Sequence, residues 1–508
     1  MHTDLAPSIV VTRVAIMAVA CATRQAESTS PDVPVFAPDL APGGERRQHA
    51  QGRFSRPVHH AVPNPRTLHP TMPTRRTFLG TSTLAAAGVV LAKARPAAAH
   101  DASMNEPYQG GTLPPAIAAL KPMTAGVKPI TVEERRARIE KATRLMRENK
   151  IDALMLTGGT SMQYFTSIRW GLSERMLALI LPTKGTPFIV CPKFEEGRAM
   201  EQVRTGPLDK GTEVHTWEED ESPSALIAEG LRSRGLATGT LGIEETVRFV
   251  FSDNVAKALP TLRLTSGTPV TAGCRGVKSD AEIALMRHAS AVTLKAYEAA
   301  WKSLSDGMTQ HQFANLVSAA HQRLGYRGDA GVQVGEYSAL PHGSATPQVI
   351  REGTILLIDG GCQVEGYNSD LSRTFVLGKP TDRMKKVFDI EHQAQTAAVR
   401  AARPGVECQA VDAAARKVIA DAGFGPGYKY FTHRVGHGIG MDGHEWPYLV
   451  KGNTQKLEPG MTFSDEPGIY IPGEFGVRLE DDMVITANGA ELMTPQSPSL
   501  EDPFGPGA

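Results

Sequence analysis

The sequence predicts an α+β protein with two folded domains, an α/β domain followed by a larger domain of antiparallel hairpins and long helices. Strand-like runs alternate with helical patterns from Ala153 to about Leu264, which is typical of an α/β domain. Beyond residue 271, two hairpin patterns lie among helical segments, so a sheet covered by helices on one side is expected. The chain length of 508 residues is sufficient for two domains or more.

The overall composition is that of a globular protein, with 41% hydrophobic residues. The 54 basic residues cancel the 54 acidic ones, so neither a nucleic acid nor an anionic membrane surface is indicated as a partner. No apolar run is long enough to span a bilayer, so no stable membrane anchor is expected. The cysteines after residue 100 predict neither a zinc site nor a disulfide framework; they are Cys191, Cys274, Cys362 and Cys408.

The N-terminal part of the chain predicts two segments that precede the folded domains. Residues 1–71 mix Pro, Arg, His and Ser with little periodicity, which indicates a disordered extension or sequence upstream of the true start. Residues 72–99 place Arg75-Arg76 before a weakly apolar stretch and the small residues Ala97 to Ala99. This pattern resembles a twin-arginine export signal, although an Arg pair before an Ala-rich helix also arises by chance. A periplasmic or secreted protein beginning near His100 is therefore expected.

A Pro- and Gly-rich linker over residues 100–128 leads to an α/β domain over residues 129–270. A capping-box pattern from Thr131 to Glu134 predicts the start of its first helix. Arg169 and Trp170 lie side by side in a predicted loop and could reach over a substrate. The alternative, which the sequence favours equally, is that Trp170 packs inward and Arg169 is solvated. The domain contains no cluster of candidate metal ligands.

The larger domain is predicted over residues 271–496, with a tail at 497–508, and its helices have clear start signals. Ser279 to Glu282 forms a second capping-box pattern before a long apolar stripe, and Thr309 precedes another helix. Two further helices are predicted at about 382–402 and 407–422. The domain boundary is placed just before the first of these four helices, near Thr271.

The first hairpin pattern, from Ile355 to Phe375, carries two aspartates. A β-branched run ends at Asp359, and a second run returns after Gly366. A midpoint between Val364 and Glu365 predicts that Asp359 and Asp370 face each other across the ladder. Two opposed carboxylates flanked by apolar residues repel each other, so a proton or a cation is expected between them.

A second carboxylate pair lies near the C-terminus, where Glu466 and Glu480 are equidistant from Gly473. A Gly-rich segment between the two hairpins, in which backbone can approach a ligand closely, contains His433, His437 and His444. Four carboxylates and one neutral imidazole balance the four positive charges of two divalent ions. The sequence therefore predicts a dinuclear metal site; its ligands are Asp359, Asp370, His437, Glu466 and Glu480.

The ordered motifs IDGG, GYNSDLSRTF, HRVGHGIG, LEPGMTFSDEPGIY and GVRLEDD resemble those of the pita-bread metallopeptidases, which include prolidase, aminopeptidase P and methionine aminopeptidase. The resemblance extends over about residues 125–496. It implies a pita-bread catalytic domain with two metal ions at the centre of its sheet. It also implies a creatinase-type N-terminal α/β domain that caps the site and builds a homodimer.

The resemblance implies roles for further residues. His342, 17 residues before Asp359, matches a substrate-binding histidine, and His444 matches one that steadies the substrate or the tetrahedral intermediate. His433 either shares such a role or orients the loop. Glu466 would shuttle a proton, and Arg478 would pair with acidic groups near the site. Arg478 and Lys451 are candidates for binding the free carboxylate of a dipeptide. The alternative for Arg478 is a structural counter-charge, and the alternative for Lys451 is a solvated surface lysine.

The implied activity is metal-dependent hydrolysis of the Xaa-Pro bond at the N-terminus of dipeptides or short peptides. The ligand set of hard oxygens and one imidazole favours Mn²⁺, with Co²⁺ or Zn²⁺ as alternatives. Three alternatives remain: a non-prolyl aminopeptidase, another C–N hydrolase such as creatinase, or a peptide-binding pseudoenzyme. The last two are expected to lack the five ligands, which are all present here. Between dipeptidase and aminopeptidase P, the segment SALPHG and the short connection from His444 to Glu466 favour the dipeptidase.

Overall fold

The computed structural model describes residues 111–208 and 211–505. The predicted extension, the export signal and the start near His100 lie outside the described residues, as does the beginning of the linker. No helix within the described ranges is long and apolar enough to cross a membrane.

The N-terminal α/β region is built on a mixed six-stranded sheet of order β4-β3-β2-β1-β5-β6. Its strands are β1 (Ala153–Thr157), β2 (Ala178–Pro182), β3 (Phe188–Pro192), β4 (Glu213–Trp217), β5 (Thr240–Ile243) and β6 (Arg263–Ser266). The strand β2 pairs antiparallel with β1 and β3, and the remaining pairs are parallel. Side chains of β1 alternate between two hydrophobic clusters, Leu154 in one and Met155 in the other. This strand is therefore buried on both faces, which explains its uninterrupted apolar run.

The α-helices of this part of the chain, within the described residues, are α1 (Pro115–Ala118), α2 (Val132–Glu148), α3 (Thr160–Thr166), α4 (Glu196–Thr205), α5 (Pro223–Ser233), α6 (Phe249–Ala258) and α7 (Thr268–Arg275). The short α1 packs on helices of the second region rather than on this sheet. The predicted capping box is confirmed, because the Thr131 side chain accepts from the Glu134 amide and the Glu134 carboxylate accepts from the Thr131 amide. Helix α7 runs through Thr271, where the domain boundary is predicted.

Four longer helices follow: α8 (Asp280–Trp301), α9 (Gln310–Leu324), α10 (Asp382–Ala401) and α11 (Cys408–Ile419). The capping box of Ser279 and Glu282 and the cap by Thr309 are both confirmed. Helix α11 is shorter than predicted, because a π-helical turn over Ala420–Phe424 replaces its last turn. Gly423 lies in this turn with φ 94°, a conformation that ends an α-helix.

The strands of the second region form two larger sheets and two small hairpins. One sheet has the order β11-β8-β7, and the other β13-β12-β14-β17-β18. The strands are β7 (Gly331–Val334), β8 (Ile355–Gly360), β9 (Gln363–Val364), β10 (Tyr367–Asn368), β11 (Leu371–Val376), β12 (Gly436–Gly438), β13 (Glu445–Leu449), β14 (Thr462–Asp465), β15 (Gly468–Ile471), β16 (Phe475–Arg478), β17 (Asp481–Thr486) and β18 (Gly489–Leu492). A bridge between Ser372 and Glu480 links the two larger sheets. This bridge brings the two carboxylate-bearing hairpins together.

The predicted centre of the first hairpin is wrong by one residue, so the partner of Asp359 on the returning strand is shifted by two residues. Asp359 pairs with Ser372, and Asp370 lies in the break between β10 and β11. The reason is the turn, whose two central residues are Glu365 and Gly366 with φ 51° and 92°. A two-residue hairpin turn with both φ values positive places Gly366 inside the turn rather than after it. The predicted centre of the second hairpin is confirmed, because its strands pair symmetrically about Gly473.

Candidate metal centre

The structure brings all five predicted metal ligands together at the junction of the two larger sheets. Ligand atoms of Asp359, Asp370 and Glu480 lie within 4.8 Å of one another. Those of His437, Glu466 and Glu480 form a second group with the same spacing. A third group joins Asp370 and His437 to His444. Overlapping groups of this kind could hold two divalent ions more readily than one. Carboxylate oxygens with one imidazole are a donor set for hard or borderline divalent cations, so the residues present fit a dinuclear centre.

The orientation of His437 is fixed by its backbone neighbours. Its Nδ1 lies 3.1 Å from the Gly438 carbonyl oxygen and donates to it, which directs Nε2 towards the carboxylates. Burial opposes a charge on this ring, but the hydrogen bond and charge of Glu466 outweigh it and raise the pKa of His437 to about 9, so a metal ion bound here would take the place of the Nε2 proton. Nε2 lies 3.2 Å from Glu466 Oε1 and 3.9 Å from Asp370 Oδ2. The His444 ring stacks on the His437 ring with centroids 3.7 Å apart. His444 is therefore beside the carboxylate cluster, as the sequence motif predicts.

Glycines in β12 allow this strand to pack closely between its neighbours. A Cβ atom on Gly436 would lie 2.1 Å from the Ser464 carbonyl oxygen, and one on Gly438 would lie 2.4 Å from the Trp446 carbonyl oxygen. The Gly-rich segment was expected to approach a ligand closely. The structure instead shows these glycines bringing β12 close to its neighbouring strands, and this packing positions His437.

The electrostatics show an excess of negative charge at the centre. Burial and then the neighbouring Asp359 raise the pKa of Asp370 well above its usual range. Burial and then Asp370 do the same to the pKa of Glu480. Burial opposes ionisation of Glu466 as well, but the hydrogen bond and charge of His437 outweigh it and bring the pKa of Glu466 to about 2. Bound cations would favour the ionised carboxylates and so oppose this rise in pKa.

Arg478 is the buried cation that contacts this cluster. Its Nη2 lies 2.5 Å from Asp359 Oδ2, and its Nε donates to Ser372 Oγ at 2.9 Å. Its Nη1 donates to the Tyr470 hydroxyl and to the Pro341 carbonyl oxygen, both at 3.0 Å. These contacts engage most of its donors, so the geometry supports the counter-charge reading of Arg478 more than binding of a substrate carboxylate.

Two residues that the sequence did not single out complete this network. Ser372 Oγ lies 2.6 Å from Glu480 Oε2 and 3.0 Å from Asp359 Oδ1, so it spans both hairpins. The Tyr470 hydroxyl accepts from Arg478 and lies 2.7 Å from His433 Nε2. His433 Nδ1 lies 3.9 Å from Glu466 Oε2. Both residues belong to the recognised motifs SDLSRTF and EPGIY, which is the only sequence signal that could have identified them.

His342 lies on the wall of an open cleft. The cleft has a volume of about 470 Å³ and is also lined by Asp329, Gly331 and Gln333. The preceding residue, Pro341, accepts a hydrogen bond from Arg478, which holds the His342 turn next to the carboxylate cluster. Burial raises the pKa of Asp329. The cleft is the candidate substrate site beside the metal ligands.

Other residues considered in the sequence lie elsewhere. Arg169 is exposed and lines a separate cleft at the tip of the first hairpin, with Gln363 and Glu365. Trp170 is partly buried beneath the Arg198 guanidinium at 4.2 Å, which favours the packing reading. Cys362 is buried and its pKa is raised to about 11 by burial, as expected for a core filler. Lys451 is exposed in the turn after β13.

The loop that carries His444 is held by α7. Arg275 Nη2 lies 2.6 Å from Asp442 Oδ2 and also pairs with Glu445. Lys278 Nζ lies 2.6 Å from the other oxygen of Glu445. Arg275, Lys278 and Glu445 are all buried. Contacts from the N-terminal region therefore fix the two residues that flank His444 in space.

A largely buried cluster of four carboxylates and one imidazole is the donor set of a two-metal hydrolytic centre. Comparison with known families agrees. The family model "Metallopeptidase family M24" matches residues 284–487, and the model "Creatinase/Prolidase N-terminal domain" matches residues 138–277. The chain belongs to metallopeptidase family M24, whose members depend on a dinuclear metal centre.

Individual relatives agree with this assignment. The probable dipeptidase PepE of Mycobacterium tuberculosis is 36% identical over 340 residues, which are 66% of this chain and 88% of that protein. The Xaa-Pro dipeptidase of Lactobacillus delbrueckii subsp. lactis is 32% identical, over 72% of this chain and 98% of that protein. The crystal structure of dipeptidase PepE from Mycobacterium ulcerans matches with a TM-score of 0.69 and 33% identity, over 74% of this chain and 99% of that one. The pita-bread resemblance and the predicted fold class are thus confirmed.

Proposed function

We propose that the protein is a metal-dependent exopeptidase that hydrolyses the Xaa-Pro bond of dipeptides or short peptides. The observation that carries this proposal is the complete ligand set, gathered into two groups that share Glu480. Relatives named Xaa-Pro dipeptidase and dipeptidase PepE, matched over most of their length, support the substrate class.

We assign the metal ions to Asp359, Asp370, His437, Glu466 and Glu480. When bound, two divalent ions acidify a water molecule and polarise the scissile carbonyl. The oxygen-rich donor set favours Mn²⁺, with Co²⁺ and Zn²⁺ as the alternatives to be compared by metal analysis.

The residues of the chain supply the proton transfer and the positioning. Glu466 takes the proton of the attacking water and delivers it to the leaving nitrogen as the C–N bond breaks. Its oxygens are aimed by Ser464 Oγ, which donates to Oε1 at 3.1 Å, and by His437. His342, on the wall of the cleft, and His444, stacked on His437, donate hydrogen bonds to the developing oxyanion. An Xaa-Pro amide has no N–H, so recognition of the proline ring depends on the shape of the cleft rather than on a bond to that nitrogen.

The first experiment is hydrolysis of Ala-Pro, Ala-Pro-Ala, Ala-Ala and Met-Ala-Ser by the purified enzyme with added Mn²⁺. Cleavage of Ala-Pro alone identifies a prolidase, and a preference for Ala-Pro-Ala identifies an aminopeptidase P. The name dipeptidase PepE does not specify proline, so preferential cleavage of Ala-Ala would support a general dipeptidase. If none is cut although two metals are bound, the peptidase proposal fails.

We further propose export by the twin-arginine route and assembly as a homodimer. Support for export comes from Arg75-Arg76 and the following small residues, and support for the dimer comes from the family resemblance. N-terminal sequencing of the protein from the periplasm tests the first, with His100 as the expected first residue. Light scattering of the purified protein tests the second.

A further inference from the structure

Arg434 is a half-buried arginine that forms no ion pair with the acidic groups of the described residues. Its guanidinium carbon stacks on the Tyr448 ring, 4.3 Å from the ring centroid. Within residues 111–208 and 211–505, its guanidinium has no ion pair and no hydrogen bond, although the side chain is half-buried. Arg478, by contrast, has most of its donors engaged by Asp359, Ser372, Tyr470 and a carbonyl oxygen. A half-buried, unpaired guanidinium next to a candidate active site is poised to bind an anion.

The position of Arg434 relative to the metal ligands follows from strand register. Tyr448 pairs directly with His437 across β12 and β13, and side chains of a directly opposed pair lie on the same face. The platform under Arg434 is therefore on the face that presents His437. His444 stacks on His437 on that face.

The stacking also determines which edge of Arg434 is free. A guanidinium that lies over an aromatic face keeps its N–H groups in the plane, directed outward. Two parallel N–H groups match the two oxygens of a carboxylate, and a side chain already held on a ring loses less entropy on binding. A lone exposed lysine such as Lys451 offers neither feature.

A dipeptide and a longer peptide differ in the charge that follows the proline. In Ala-Pro the proline ends in a carboxylate, whereas in Ala-Pro-Ala the same carbon is a neutral amide. We propose that Arg434, held on Tyr448, binds the free C-terminal carboxylate of the substrate and makes the enzyme selective for dipeptides. This inference rests on the peptidase function proposed above, and it is testable separately.

The test compares Ala-Pro with Ala-Pro-amide, which differ only in the terminal charge. We expect the wild-type enzyme to prefer Ala-Pro. Arg434→Ala should lower kcat/KM for Ala-Pro by about 10- to 100-fold, the effect of one hydrogen-bonded charge pair, and leave the value for the amide nearly unchanged. Arg434→Lys should retain part of the preference, because the charge remains without the planar fork. A folding defect would lower kcat/KM for both substrates equally. The ratio of the two kcat/KM values therefore isolates the contact with the carboxylate.

Three outcomes would overturn the inference. The first is an unchanged preference for Ala-Pro in Arg434→Ala, and the second is loss of the preference in Lys451→Ala instead. The third is a wild-type enzyme that cleaves both substrates equally, which leaves the peptidase function standing. Failure of the wild-type enzyme to cleave either substrate would instead refute the proposed function.

Discussion

The Tyr470 hydroxyl offers a sharp test of the network around the metal ligands. It accepts a hydrogen bond from Arg478 at 3.0 Å and lies 2.7 Å from His433 Nε2, to which it donates. Tyr470→Phe keeps the ring and removes both contacts. A hydrogen bond with a charged group, here Arg478, contributes about 1.5–3 kcal/mol, and a neutral one, here with His433, about 0.5–1.5 kcal/mol. The free energy of unfolding should therefore fall by about 2–4 kcal/mol.

Urea unfolding followed by circular dichroism measures the stability change, and steady-state kinetics on Ala-Pro measures the functional one. We expect kcat to fall more than KM rises, because His433 and Arg478 adjoin the groups that act in the transition state. Tyr428→Phe, at a tyrosine that is 48% exposed, is the matched control and should change neither quantity. Wild-type urea resistance and kcat in Tyr470→Phe would refute the reasoning.

Three further perturbations have expected outcomes. Gly436→Ala places a methyl group 2.1 Å from the Ser464 carbonyl oxygen, so β12 must shift. Elemental analysis should therefore show loss of bound metal. The control Gly443→Ala, which has open space around the new methyl group, should retain the metal. Arg275→Met removes one of the two cations that neutralise the buried Glu445 and also frees the partly exposed Asp442, so urea unfolding should show a loss of about 3–5 kcal/mol; an unchanged midpoint would contradict this. Burial lowers the pKa of His321 from 6.5 to about 4, so folding excludes its proton. The contribution of neutral His321 to the free energy of unfolding is therefore fully present above pH 6.5 and is lost towards pH 4, by up to about 3 kcal/mol. The variant His321→Gln should lack this part of the pH dependence when unfolding is measured across that range.

The sequence predicted what depends on neighbours along the chain. The capping boxes at Thr131 and Ser279 need only residues three positions apart, and the structure has both. The second hairpin was centred correctly because Pro472-Gly473 allows one turn. The centre of the first hairpin was misplaced by one residue, because a glycine after a turn and a glycine inside the turn give the same sequence pattern between two strands.

Contacts between distant parts of the chain could not be predicted in this way. Ser372 and Glu480 are 108 residues apart, and nothing in either segment indicates that their side chains meet. Tyr470 and Arg434 lie inside recognised motifs, but their partners come from other strands. The roles of such residues depend on how the sheets dock, which periodicity does not encode.

The bridge between Ser372 and Glu480 also has a consequence for the order of assembly. Asp359 and Asp370 are synthesised more than 100 residues before Glu480, so the first hairpin folds with only half of a coordination sphere. Neither hairpin alone offers both ligand groups, because the shared carboxylate arrives with the second. The complete set of ligand groups therefore forms only when the two sheets dock, late in the assembly of the chain.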